Sequence, residues 1–166
     1  MKILVSECFL GTACRYDGKF KPDERVILLR AKHELIPFCP EIAGGLPTPR
    51  EPSEIRNGHV ITKDGKDVTE SFQNGAEKAW KVFQQEHCSC AVLKERSPSC
   101  GSRHIYDGSF SRILIRGEGV TCKKIRQMGG HVYSEEDLDQ LLRIECKEKD
   151  YAESRILMKD ELASEQ

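Results

Sequence analysis

Short apolar runs separated by amphipathic segments recur along most of the chain. The runs last about five residues and end at glycine, proline or polar residues, which is typical of strands buried within a sheet. Strands are predicted at about residues 2–6, 35–38, 59–62, 91–93 and 131–133. Helices are predicted, from apolar residues at helical spacing, at about residues 23–32, 69–85 and 117–128 and after residue 134. Because strands and helices alternate, we expect an α/β fold with a mainly parallel, doubly wound sheet and helices on both faces.

One segment shows the helical pattern most clearly, and another has no regular pattern. Residues 69–85 place aromatic and small apolar residues on one helical face, so this face is expected to pack in the core, with Thr69 as the N-cap. Residues 42–57 contain two glycines and three prolines and are expected to be irregular. Long irregular segments within a compact domain are often functional, and Arg50, Glu51 and Glu54 are candidate binding residues there, with simple solvation of their charges as the alternative.

The length of 166 residues predicts a single domain, here placed at residues 1–147, with residues 148–166 as a charged C-terminal extension. The 26 basic and 27 acidic residues nearly cancel, so no overall field attracts nucleic acid or anionic membranes. No apolar run approaches the roughly 20 residues of a membrane span, and the first apolar run is too short for a signal peptide. A cytoplasmic location is therefore expected.

Eight cysteines require an explanation. In a reducing compartment they are not expected to form structural disulfides, which leaves metal binding, catalysis or simple burial. No C-x-x-C pair occurs, which argues against a zinc ribbon, a thioredoxin-like motif or ferredoxin spacing. Any metal site must therefore be assembled from residues that are distant in sequence.

Three of the cysteines follow predicted strands, namely Cys8, Cys39 and Cys100. Because open α/β folds bind ligands at the carboxyl edge of the sheet, these thiols are candidate ligands of an iron–sulfur cluster. Three ligands on a cubane cluster leave one iron open to act as a Lewis acid. Cys14 is the reserve candidate, and the alternative is that each cysteine is a small buried hydrophobe. The structural role is expected for Cys88, Cys90, Cys122 and Cys146.

Polar residues near these cysteines suggest catalytic roles. Glu41 stands two positions after Cys39 and is the candidate general acid or base, whereas strand alternation predicts that Glu7 faces away from Cys8. Ser97 is a candidate hydrogen-bond donor beside Cys100, and Lys94 is placed to offset the negative charge of a thiolate-bound cluster. Ordinary surface charge remains the alternative for the lysine.

Several motifs together resemble the thiouracil desulfidase family of iron–sulfur enzymes. The matching segments are Val5-Ser6-Glu7-Cys8-Phe9-Leu10-Gly11, Cys14-Arg15-Tyr16-Asp17-Gly18, Cys39-Pro40-Glu41, Gly44-Gly45-Leu46-Pro47-Thr48-Pro49-Arg50, Leu93-Lys94, Ser97-Pro98-Ser99-Cys100-Gly101, Tyr106-Asp107-Gly108 and Gly117-Glu118-Gly119-Val120. The likeness covers about residues 2–145 and leaves the tail uncovered. Glu7 departs from the small residue expected at its position.

The resemblance implies non-redox desulfuration supported by a [4Fe–4S] cluster that Cys8, Cys39 and Cys100 hold. Water would replace the sulfur of a thiolated pyrimidine, and hydrosulfide would be released, with Glu41 handling protons and Ser97 positioning the substrate. Thiouracil, thiouridine and its nucleotide share the reacting group, and transfer RNA is a possible but less favoured substrate. A non-catalytic iron–sulfur or zinc protein with a regulatory or electron-transfer role is the alternative.

Overall fold

The computed structural model of the chain describes residues 1–143. The chain divides into two compact units, Met1–Glu135 and Glu136–Gln166. In the second unit, residues 138–143 are helical, as the pattern after residue 134 predicts. The predicted boundary between residues 147 and 148, and Cys146, lie outside the described residues.

The strands and helices predicted for the first unit are present, and a helix at residues 40–43 and strands at residues 53–56, 104–106 and 114–116 are additional. In chain order they are β1 (Lys2–Ser6), α1 (Glu24–Leu28), β2 (Glu34–Phe38), α2 (Pro40–Ala43), β3 (Ser53–Arg56), β4 (His59–Thr62), α3 (Thr69–Gln85), β5 (Cys90–Leu93), β6 (His104–Tyr106), β7 (Leu114–Arg116), α4 (Val120–Gln127) and β8 (Val132–Ser134). A short 3₁₀ helix, Glu7–Leu10, follows β1 directly. The amphipathic face of α3 is buried, as expected, through Phe72, Ala76, Ala79 and Phe83.

A parallel four-stranded sheet lies at the centre of this unit. Its strand order is β2-β1-β5-β8, and every neighbouring pair is parallel. Strand β5 is buried along its whole length, and β1 is buried at all but its first residue, which explains their continuous apolar sequences. The predicted α/β fold with a mainly parallel sheet is confirmed. The carboxyl ends of β2, β1 and β5 lie side by side at one edge.

Two antiparallel hairpins, β3–β4 and β6–β7, accompany the sheet. The expectation that residues 42–57 are irregular is wrong at residues 42–43, which end α2, and at residues 53–56, which form β3. The reason for β3 is the two-residue turn Asn57-Gly58, in which both residues have positive φ, at 49° and 78°. Turns of this kind match the twist of paired strands, so the turn joins β3 to β4.

The start of α3 differs from the prediction. Thr69 is the first helical residue and not the N-cap, which is Val68. The Thr69 hydroxyl accepts a hydrogen bond from the Val60 backbone N–H (2.9 Å) and donates one to Asp67 (2.6 Å). Asp67, which precedes the N-cap, accepts the Thr69 backbone N–H (2.9 Å) and so satisfies one of the N–H groups that have no partner within the helix.

Glycines allow backbone segments near the sheet edge to approach closely. A Cβ at Gly75 of α3 would overlap the carbonyl of Pro40, which fixes α2 directly against α3. A Cβ at Gly119 would overlap the backbone of Ser99, so the start of α4 rests on the loop that follows β5. The Thr121 N–H donates to the Ser99 carbonyl across this contact (2.8 Å). Both contacts restrain segments that carry predicted site residues.

Within residues 1–143, no helix is long and apolar enough to cross a membrane.

Candidate functional site

A cavity of about 510 Å³ contains the residues that sequence analysis selected. It is lined by all six predicted site residues and by Cys14, that is, by Cys8, Cys14, Cys39, Glu41, Lys94, Ser97 and Cys100. These residues are up to about 90 positions apart in sequence but converge because β2, β1 and β5 are neighbours in one parallel sheet. The cavity is therefore a site built at the carboxyl edge of the sheet.

Each of the three predicted ligands follows one of these neighbouring strands. Cys8 lies in the 3₁₀ helix after β1, and Cys39 lies between β2 and α2. Cys100 lies in the loop after β5, and Gly101 N–H closes the turn by donating to the Ser97 carbonyl (2.9 Å). Cys8 and Cys100 are buried, and Cys39 is partly buried. The three thiols are thus held by three separate backbone segments, one after each of β1, β2 and β5.

Cys14 brings a fourth thiol to the same cavity from the loop after the 3₁₀ helix. It is 3% exposed, and its thiol interacts with those of Cys39 and Cys8. Its carbonyl oxygen lies 3.9 Å from the Cys39 sulfur and accepts a hydrogen bond from Arg50 Nη2 (3.0 Å). Location in the cavity therefore does not by itself separate Cys14 from the three predicted ligands.

The remaining described cysteines lie elsewhere. Cys88, Cys90 and Cys122 are buried and do not line this cavity. Cys88 and Cys122 pack in an apolar cluster with Leu4 and Ile125. These positions agree with the structural role that was predicted for them.

The thiols of Cys14, Cys39 and Cys100 have raised pKa values. Burial raises the pKa of Cys100 to about 12, although the Ser6 hydroxyl acts in the opposite direction. The Cys39 thiol lowers the pKa of Cys14, but contact with Cys8 and burial raise it more, to about 12. Contact with Cys14 and burial raise the pKa of Cys39 as well. Binding of a metal through these thiolates must therefore release protons.

The donor set fits an iron–sulfur cluster. Cysteine thiolates hold such clusters, and soft sulfur ligands suit them. Four thiols from the described part of the chain line the cavity, three of them at the ends of neighbouring strands and the fourth in the loop after the 3₁₀ helix.

Glu41 is held beside the cysteines by an arginine. Its carboxylate, on α2, forms an ion pair with Arg50 Nη2, and the two side chains are 17% and 7% exposed. Arg50 Nη1 also donates to the Pro47 carbonyl and the Thr48 hydroxyl, both at 3.1 Å. Arg50, a candidate binding residue in the sequence, thus joins its own loop to Glu41 and to the Cys14 backbone.

Ser97 is oriented by the loop that contains Cys100. Its hydroxyl oxygen accepts backbone N–H groups from Ser99 (3.1 Å) and Cys100 (3.0 Å). Because the oxygen accepts both bonds, the hydroxyl proton remains available to donate. Ser99, by contrast, is fully buried, and its hydroxyl pairs with that of Thr121 (2.8 Å).

The Lys94 ammonium is paired within the protein. It forms an ion pair with Glu135, and the second carboxylate oxygen of Glu135 accepts the Glu95 backbone N–H (2.8 Å). Lys94, which is predicted to offset the negative charge of a cluster, is therefore partly neutralised by Glu135, 41 positions later in the chain. No motif in the sequence pointed to Glu135, since it lies after another strand, β8.

A buried carboxylate closes the loop that carries Ser97 and Cys100. Glu95 is 2% exposed and accepts the backbone N–H groups of Ser102 (3.1 Å), Arg103 (3.0 Å) and His104 (2.9 Å). It also accepts the Ser102 hydroxyl (2.5 Å). Burial alone would raise the pKa of this carboxyl. The hydrogen bonds outweigh burial and lower the pKa to about 2.

We expect Glu95→Gln to destabilise the protein by about 1–3 kcal/mol, because the amide turns a donor towards backbone donors. The folded pKa of about 2 lies below the ordinary 4.5, so the carboxylate's contribution is complete above pH 4.5 and lost towards pH 2. Urea denaturation of both proteins across this pH range should show a smaller pH dependence in the variant. Glu77→Gln, at an exposed ion pair with Lys124, is the control and should change stability little. Equal stability of Glu95→Gln and wild type would contradict this expectation.

Comparisons with known proteins agree with the site. The family model described as 2-thiouracil desulfurase matches residues 3–137. An uncharacterised protein of Bacillus subtilis (strain 168), YbbK, is 41% identical over 150 residues, which cover 84% of this chain and 99% of that protein. The solved structure of the [4Fe-4S]-dependent thiouracil desulfidase TudS superposes with a TM-score of 0.81 at 45% identity, covering 86% of this chain and 96% of TudS.

Proposed function

The chain belongs to the 2-thiouracil desulfurase family, and on that premise we propose that it is a [4Fe–4S]-dependent desulfidase that removes sulfur from a thiolated pyrimidine. The observation that carries the proposal is the convergence of four thiols, Glu41 and Ser97 on one cavity at the sheet edge. A structure 45% identical to this chain is that of a [4Fe-4S]-dependent thiouracil desulfidase.

We assign Cys8, Cys39 and Cys100 as the residues that hold the cluster. They follow three adjacent parallel strands, whereas Cys14 lies in a loop beyond the 3₁₀ helix. When bound through three cysteines, the cluster supplies an open iron, a soft Lewis acid that polarises a carbon–sulfur bond. Lys94 lies in the cavity wall and adds positive charge near the cluster, moderated by Glu135.

The protein's own residues would then carry out the proton movements of a hydrolytic reaction. Water adds to the carbon that bears the sulfur, and the departing sulfur needs a proton. Glu41 is the group that we assign to these transfers, because Arg50 fixes its carboxylate in the cavity wall. Ser97 keeps its hydroxyl proton free to donate and would hold a polar atom of the substrate.

We favour a small substrate over a large RNA. Four basic residues, Arg15, Lys19, Lys21 and Arg50, are the candidates for a local RNA-binding patch. Arg50 is nearly buried and paired with Glu41, and Arg15 lies 3.7 Å from the Asp17 carboxylate. These two pairings reduce the positive charge that this patch can offer to phosphate groups. A free thiolated pyrimidine is therefore the proposed substrate, and transfer RNA stays the less favoured one.

Release of hydrosulfide from 2-thiouracil by the anaerobically reconstituted protein tests this function. Stoichiometric formation of uracil and hydrosulfide without an added reductant is the expected result, since water replaces sulfur with no change of oxidation state. Cluster incorporation without any sulfide release would instead favour the regulatory or electron-transfer alternative.

We also expect the anaerobically purified protein to be brown and to contain about four irons and four acid-labile sulfides per chain, as a cubane cluster requires. Iron and sulfide analysis together with visible absorption measures this directly. Stoichiometric zinc with no labile sulfide after reconstitution would contradict the cofactor assignment.

A further inference from the structure

One wall of the cavity comes from a loop that no catalytic assignment uses. The loop joins β6 to β7, and Tyr106, Phe110 and Arg112 from this region line the cavity. Phe110 and Arg112 have positive φ values, 58° and 59°. Residues other than glycine seldom adopt this conformation, because the Cβ atom crowds the backbone. The loop therefore holds a large aromatic residue in a strained conformation at the edge of the proposed active site.

A buried carboxylate maintains the conformation of Phe110. Glu54 of β3 is 6% exposed, and its two oxygens accept the Phe110 backbone N–H at 3.2 and 3.0 Å. Glu54 itself also lines the cavity. Burial of a carboxylate is costly unless hydrogen bonds satisfy it. The buried Glu54 carboxylate therefore fixes the backbone position of this phenylalanine.

Further contacts fix the preceding residues of the loop. Arg56 Nε donates to the Gly108 carbonyl (2.9 Å), and a Cβ at Gly108 would lie 2.7 Å from the Ile55 carbonyl oxygen. Asp107 accepts the backbone N–H and hydroxyl of Ser109 at 2.9 and 2.6 Å. The hairpin β3–β4 thus fixes the backbone of the β6–β7 loop through Arg56 and Glu54.

We propose that Phe110 is a substrate-binding residue whose ring packs against the face of the substrate's pyrimidine ring, and that Glu54 is its positioning residue. This inference rests on the proposed function. Strained conformations persist where the surrounding structure enforces them, and they concentrate at ligand-binding sites. An aromatic side chain is a suitable partner for a planar heterocycle, since every base presents a π-face for stacking. The contact involves the ring and not the sulfur, so the product uracil should benefit from it as much as the substrate.

The test is Phe110→Ala in the cluster-loaded enzyme. We expect KM for 2-thiouracil and the inhibition constant of uracil to rise together by about tenfold, within the range that stacking contributes. Iron content should remain at the wild-type level. Phe110→Tyr should restore wild-type values, and Phe20→Ala, which removes an exposed ring outside the cavity, should leave both constants unchanged.

Variants of Glu54 test the positioning role. Glu54→Ala should raise the same two constants, whereas Glu54→Gln keeps an oxygen that accepts the Phe110 N–H and should leave them near wild type. In the double variant Glu54→Ala/Phe110→Ala the rise in the two constants should be less than the sum of the single effects, because both changes remove the same contact between the Phe110 ring and the substrate. Phe110→Gly should weaken binding while keeping or raising the thermal midpoint, since glycine relieves the positive φ.

The outcomes separate this inference from the function on which it rests. A wild-type protein that releases no hydrosulfide contradicts the proposed function itself. Normal release by wild type with unchanged KM and uracil inhibition in Phe110→Ala overturns the role of Phe110. Fully additive effects of the two alanine substitutions overturn the role of Glu54.

Discussion

Serine in place of Cys8, Cys39 or Cys100 should abolish desulfuration and strip the protein of its cluster. A hydroxyl is a hard, weakly acidic ligand and replaces a thiolate poorly on iron. Each of these cysteines follows a different strand of the β2-β1-β5 edge, so each substitution removes a ligand from a different strand end. Iron and labile sulfide content after anaerobic reconstitution should fall to a small fraction of wild type, and hydrosulfide release should be undetectable.

Cys122→Ser is the matched control for these substitutions. Cys122 is fully buried in α4 and does not line the cavity, so its replacement should leave iron content intact. Cys14→Ser is the most informative comparison, because Cys14 shares the cavity with the three proposed ligands. Retention of the cluster in Cys14→Ser supports the assignment. Loss of the cluster there, with retention in Cys8→Ser, would show that the ligand set is wrong.

The convergence of cysteines could be predicted because it depends on local signals. Cys39 and Cys100 each follow a short apolar run, and parallel strands present their carboxyl ends at one edge. The order in which strands pair is different, since it depends on contacts between residues far apart in sequence. That order places β1 between β2 and β5, and it brings Cys14 into the cavity as well. Local patterns alone therefore could not separate three ligands from four candidates.

The polar partners of the site could not be predicted for a related reason. Glu135 meets Lys94 from the end of β8, and Glu54 meets Phe110 across 56 positions. Neither pairing has a sequence signature, because each is created by the docking of separate elements. Asn57-Gly58 did carry a hairpin signal, and the prolines of the same segment obscured it.

The expectation for Glu7 illustrates how a local rule depends on the element that contains the residue. Alternation along a strand would turn Glu7 away from Cys8. Strand β1 ends at Ser6, however, and Glu7 begins the 3₁₀ helix Glu7–Leu10, so alternation does not apply. Glu7 lines the same cavity as Glu41. Among residues 1–143, five glutamates line this cavity, and Glu7 and Glu41 are the two that lie within two positions of a proposed ligand. Glu41 is held there by its ion pair with Arg50.

Glu41→Gln should lower turnover by roughly two or more orders of magnitude while the cluster stays in place. Water cannot replace the sulfur unless protons move to and from the reacting groups, and general acid–base residues contribute about 10²–10⁴-fold. Glutamine keeps the size of the side chain and an oxygen that Arg50 can still contact, but its amide cannot act as a general acid or base at neutral pH. The loss should therefore appear in kcat, with iron content and KM for 2-thiouracil close to wild type.

Hydrosulfide release and iron content, measured on the same preparation, decide the role of Glu41. Glu77→Gln is the matched control, because Glu77 also pairs with a basic side chain but lies on α3 outside the cavity. It should retain full turnover. Glu7→Gln tests the other carboxylate that lies beside a proposed ligand: a loss of turnover confined to this variant would transfer the proton-handling role to Glu7. Near-normal turnover of Glu41→Gln with an intact cluster, and of Glu7→Gln as well, would instead direct attention to Ser97 or Lys94, the other polar side chains assigned to this site.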